Sequence, residues 1–285
     1  MLGKLLKYDF RALSRVMLPL QGGVILASIM GILLIKFAIM SLSSTSNYTS
    51  QPLEELLSAI SLVFALLTIA MVFASYWVTL LLVGRHYYQS LLRDEGYLTL
   101  TLPVPVSSHL LSKTLAGSAW LFVNAIIIGL ATVTLLFVSF SDTGLLSYIN
   151  FGSLSDLAHD ASTLPAMMTL FEVLCYGVVA ILAAALQIYV ALTVGAVIAK
   201  THKVLAGIGI YVAISVVMQI VTSLLAFILA YFVFNASPSF YSVSQFPWVY
   251  ETQKLVLPGL IVLSAVSVAS YFYSRYLLRT KLNLD

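Results

Sequence analysis

Residues 114–140 read TLAGSAWLFVNAIIIGLATVTLLFVSF. The run holds no charged residue, and it exceeds the roughly 20 apolar residues that carry a helix across about 30 Å of hydrocarbon. Five further runs meet the same requirement. Six spans are therefore expected: Val16–Met40, Ala59–Val83, Thr114–Phe140, Pro165–Ala199, Val204–Phe234 and Leu255–Tyr273. The runs are long and continuous rather than short and alternating, which excludes a β-barrel. With no water in the bilayer core, helices remain as the way to satisfy the backbone. The expected fold is an all-α integral membrane protein with about six transmembrane helices, residues 1–285 forming one transmembrane domain.

Composition agrees. The 285-residue chain is 61% hydrophobic and 9% charged, with a mean hydropathy of +1.03. A soluble domain is nearer half apolar and a quarter charged, so this chain has too few polar residues to cover a water-soluble core. Cys175 is the one cysteine, which excludes an intrachain disulfide and a thiolate metal site. The first apolar run has no small-residue cleavage site near its end, so it is expected to stay as a span.

The basic residues set the expected orientation. Of the 14 Lys and Arg, all but Lys36 and Lys254 fall on one side if the N-terminus is inside. That inner set comprises Lys4, Lys7, Arg11, Arg15, Arg85, Arg93, Lys113, Lys200, Lys203, Arg275, Arg279 and Lys281. Both termini are therefore expected to be cytoplasmic. The outer segments 47–55, 141–164 and 235–253 are acidic or aromatic instead, and residues such as Tyr148, Phe240, Trp248 and Tyr250 suit the headgroup belt.

The N-terminal MLGKLLKYDFRALSR (1–15) is too short and too charged to cross. At about 100° per residue its Lys4, Lys7, Arg11 and Arg15 fall within an arc of roughly 80°, with Leu2, Leu6, Phe10 and Leu13 on the far side. This is the pattern of an amphipathic elbow helix lying on membrane lipid, with Pro19 placed to help turn it into the first span.

Several chemistries have no signature here. There is no phosphate-binding loop, no His-Glu-x-x-His and no Gly-x-Ser-x-Gly. The histidines His86, His109, His159 and His202 sit in loops or at span ends and are expected to be solvated or interfacial. Lys36 and Glu172 lie near the outer ends of spans, where snorkelling accounts for them. Asn124, Gln187 and Gln219 are the deep polar residues, expected to hydrogen-bond between helices. An ion-driven transporter would carry more charge at mid-membrane. No catalytic residue, metal ligand or cofactor-binding residue is assigned to this chain.

The polar island between the second and third spans, GRHYYQSLLRDEGYLTLTLPVPVSSHLLSK (84–113), is the exception. Tyr87–Leu100 can form a short helix interrupted at Gly96, Pro103 and Pro105 prevent its continuation, and Ser107 or Ser108 can cap the next helix. The run from Arg93 through Asp94, Glu95, Gly96 and Leu98 to Pro103, then a serine and Leu111-Ser112-Lys113, resembles the first cytoplasmic loop of type-2 ABC-transporter permeases.

That resemblance implies a permease subunit of an ATP-driven exporter in a bacterial plasma membrane. A second permease, identical or not, would complete the substrate path, and a separate ATPase subunit would use the ATP. Such a chain is not itself an enzyme and binds no nucleic acid. The ATPase contact would be a coupling helix containing Tyr87, Leu91, Arg93, Asp94, Glu95, Gly96 and Leu98, with Lys200, His202 and Lys203 as a second contact. Segment 141–164 is longer than the tight outer turn usual in that family. A non-transporting membrane scaffold, immunity or sensor protein is the alternative, and a secondary transporter or channel ranks behind it.

Overall fold

The computed structural model describes residues 2–45, 51–92, 104–142, 164–199, 202–236 and 247–280. They form six helices: α1 Leu2–Thr45, α2 Gln51–Leu91, α3 Val106–Asp142, α4 Leu164–Ile198, α5 Lys203–Ala236 and α6 Pro247–Thr280. No strand occurs among the described residues. All six helices are long and apolar enough to cross a membrane, so the chain is an all-α, multi-pass membrane protein.

The helices overrun the apolar runs that announced them. α1 continues without a break from Leu2 through Pro19 to Thr45, so the N-terminal segment and the first span are one helix rather than two elements. α2 begins at Gln51 and holds helical geometry to Leu91. The expected short helix starting at Tyr87 is therefore replaced, over 87–91, by the last turn of α2, because nothing between Gly84 and Leu91 breaks a helix. Residues 93–103, the rest of that expected helix, lie outside the described residues, as do 143–163 and 237–246. α3 starts at Val106, and Ser108 N–H donates to the Pro105 carbonyl at 2.8 Å. Ser107 and Ser108 thus sit inside the first turn and do not cap it.

The chain divides into two compact units. The first comprises Met1–Asp9, Leu82–Ser118 and Asp156–Asp285, and its centre is α4, which packs on both α5 and α6. Of the residues in the apolar stretch of α4, 56% are buried, against 6% in that of α5, so α5 is the more peripheral of the two. At the α4–α5 crossing a Cβ on Gly195 would stand 2.5 Å from the Gly207 backbone nitrogen. Only glycine lets the two backbones approach this closely.

The second unit comprises Phe10–Leu81 and Ala119–Ser155. Here the Phe10 ring stacks on Trp120 with centroids 5.3 Å apart. Gly31 of α1 leaves room for the Thr68 side chain of α2.

Candidate functional site

In the first unit a carboxylate gathers three helices. Asp9 of α1 accepts a hydrogen bond from Lys113 Nζ of α3 on Oδ1 at 2.9 Å. The same oxygen lies 3.3 Å from His86 Nε2 of α2, which donates to it in the tautomer carrying that proton. Ser112 Oγ approaches Asp9 Oδ2 at 2.7 Å and the His109 carbonyl at 3.0 Å. A hydroxyl has one proton, and the shorter, charged acceptor takes it.

These groups are largely enclosed. The side chains of Lys113 and Asp9 are 5% and 13% exposed. All four lie outside the apolar runs, yet the fold buries Ser112 and Lys113 and half-buries Asp9 and His86. Burial pushes the Asp9 carboxyl up, but the hydrogen bond from His86 and the charge of Lys113, with further bonds from Ser112 and Lys113, outweigh it and bring the pKa down to about 2. Beside them His109 is 3% exposed, and its Nε2 has no partner among the described residues. Burial and the nearby Lys113 charge push its pKa down, with Asp9 opposing, so the neutral ring is favoured.

A second layer ties α2 and α3 to α4. Tyr189 donates its hydroxyl proton to the Lys113 carbonyl at 3.0 Å. It passes over Gly117, where a Cβ would meet that hydroxyl at 2.7 Å. The Tyr87 ring stacks on Tyr189 at 4.1 Å and 13°. Thr193 Oγ1 spends its proton on the Tyr189 carbonyl at 2.6 Å, so Tyr87 is the donor in its 2.9 Å bond to Thr193.

The second unit holds a neutral cluster on the same three helices. Ser75 and Thr79 donate to the Val72 and Ser75 carbonyls, so both hydroxyls can only accept from elsewhere. That fixes both amides. Gln21 Nε2 donates to Thr79 at 3.4 Å, while Asn124 Nδ2 donates to Gln21 Oε1 at 3.1 Å and to Ser75 at 3.3 Å. Asn124 Oδ1 is buried with no partner among the described residues.

The residues expected from sequence meet different fates. Lys4, Lys7, Arg11 and Arg15 are all exposed on α1. His202 is exposed and Lys203 half-buried at the start of α5. Arg93, Asp94, Glu95, Gly96, Leu98 and Lys200 lie outside the described residues, as does His159. Tyr87 and Leu91 are fully buried, so they pack the interior of the first unit and offer no surface to a partner. His109 is enclosed rather than solvated, which corrects the expectation for it, whereas His86 is half-buried beside Asp9. Asn124 does join helices, whereas Gln219 is exposed.

Sequence reasoning passed over Asp9. The signal available was its position: it is the one acid within residues 1–15, and it falls opposite the basic arc.

Among the described residues no group of three or more His, Cys, Asp or Glu could hold a metal ion. Comparison with protein-family models, curated proteins and solved structures found no match to this chain.

Proposed function

We propose that this chain is the permease subunit of an ABC exporter, paired with a second permease and driven by separate ATPase subunits that bind and hydrolyse the ATP. The observation that carries the reading is the treatment of segment 84–113. Its sequence resembles the ATPase-facing loop of such permeases, and both of its stems are clasped inside one unit by Asp9 and Tyr189. A loop that passes a partner's movement to the spans needs stems that move with the fold. The scarcity of charge in the spans also favours an external energy source.

In this reading Arg93, Asp94, Glu95, Gly96 and Leu98 make the main ATPase contact, with Lys200, His202 and Lys203 as the second. Tyr87 and Leu91 act from inside, as support for the stem.

The test is to purify the chain from its own host in detergent beside a variant with Arg93, Asp94 and Glu95 changed to alanine. An ATPase should co-elute with the native chain and be lost from the folded variant. If none accompanies the native chain even after mild cross-linking, a non-transporting scaffold, immunity or sensor protein replaces the permease.

A further inference from the structure

We propose that the N-terminal turns of α1 form a surface for anionic lipid headgroups, and that Asp9 sets the rotation at which this surface is presented. The two halves of the idea rest on one helix. At about 100° per residue, Lys4, Lys7, Arg11 and Arg15 share an arc of roughly 80°, while Asp9 falls about 160° from its centre. All four cations are exposed. Asp9 is turned inward and bonded to Lys113, His86 and Ser112. With Asp9 bonded inward, the basic arc on the opposite face of the same turns is directed outward.

The partner is chosen by depth and charge. Arg11 and Arg15 lie within about 7.5 Å along the axis of Val16, where the apolar run begins. That is headgroup depth, and Lys4 and Lys7 continue the same line toward water. Tyr8 flanks the arc and is 71% exposed. An aromatic ring with a polar tip is the side chain that prefers this layer. Each Lys or Arg near an anionic surface strengthens binding by roughly fivefold, so the orientation of four such groups is a sizeable lever.

The proposal makes a prediction that simple charge attraction reverses. Asp9→Asn makes the segment more positive, and on net charge alone it should bind anionic lipid better. If Asp9 orients the arc, the same change should weaken binding. The full chain would be placed in nanodiscs of phosphatidylcholine, alone or mixed with phosphatidylglycerol, and the retained lipids counted by native mass spectrometry.

The native chain is expected to retain phosphatidylglycerol in several-fold excess over its share of the mixture. Replacing Lys4, Lys7, Arg11 and Arg15 together by glutamine should abolish the excess. Asp9→Asn should lower it several-fold, and Asp9→Glu should restore part of it. If Asp9→Asn does not fold, Ser112→Ala removes one tie without changing any charge and should lower the excess in the same direction.

No excess in the native chain overturns the lipid surface. An excess that Asp9→Asn (or Ser112→Ala in its place) leaves equal or larger overturns the role of Asp9. Neither outcome touches the ATPase reading, because the measurement is made on the isolated chain.

Discussion

Asp9, His86, Ser112 and Lys113 join α1, α2 and α3 through charge, whereas Gln21, Ser75, Thr79 and Asn124 join the same three helices through neutral amides and hydroxyls. The difference follows the apolar runs. The charged cluster lies outside them and the neutral cluster within them. An ion pair moved into hydrocarbon faces a desolvation cost of several kcal/mol per ion, which its mutual attraction repays only with near-ideal geometry. Amides and hydroxyls face a smaller cost, and each can be met by one or two hydrogen bonds. The two units therefore use different chemistry for the same task, and the contrast predicts that they respond differently to loss of one member.

The largest effect is expected at Lys113. Lys113→Met leaves the Asp9 carboxylate enclosed with only His86 and Ser112, and breaking a buried pair from one side costs about 3–5 kcal/mol. Removing both partners, as Asp9→Leu with Lys113→Met, should cost much less than the sum of the two single changes. Reversible unfolding in mixed detergent, run as a double-mutant cycle, reads the coupling directly. A near-neutral Lys113→Met would mean that water reaches the pair, and the contrast between the clusters would collapse.

A smaller loss is expected at Asn124. Hydrogen bonds between membrane helices are worth about 0.6 kcal/mol on average and about 1.7 at most. Asn124→Leu removes bonds to Gln21 and Ser75 but also removes a buried carbonyl oxygen that has no partner among the described residues. The two changes oppose each other, so the net cost should stay near or below the average, measured by the same unfolding assay. A loss as large as that of Lys113→Met would show that the neutral cluster is the stronger clasp.

Hydropathy made the six helices legible, because burial in lipid demands long uninterrupted apolar runs and little else. Helix ends were less legible. Backbone geometry continues α2 through the polar residues Arg85 and His86, whereas hydropathy stops at Val83. The charged cluster was hidden for a different reason. Periodicity places Asp9 on one face of its own helix, but it does not say that Lys113, far along the chain, comes to meet it. Tyr87 was misread by its neighbours: it belongs to a polar stretch, yet its ring fills the space against Tyr189. The loop residues Arg93 to Leu98 lie outside the described residues, and their role rests on the sequence resemblance alone.

A third effect separates the clusters by acidity, and its pH dependence is confined to the acid range. Asp9 has a folded-state pKa of about 2, below its ordinary value of 3.8. A carboxyl depressed on folding contributes stability that is complete above its unfolded value and is lost as pH falls through its folded value. The contribution of Asp9 should therefore be constant from neutrality down to about pH 4 and should fade between there and about pH 2. The neutral cluster holds no group that titrates in this range, so Asn124→Leu should leave the acid limb of the stability curve unchanged. Asp9→Asn should make that limb shallower, with the remaining carboxylates supplying the slope that persists. Thermal midpoints of the three proteins across this window provide the measurement. Equal acid limbs for the native chain and Asp9→Asn would mean that Asp9 has the same pKa folded and unfolded, and the net stabilisation of its carboxylate by His86, Lys113 and Ser112 would be ruled out.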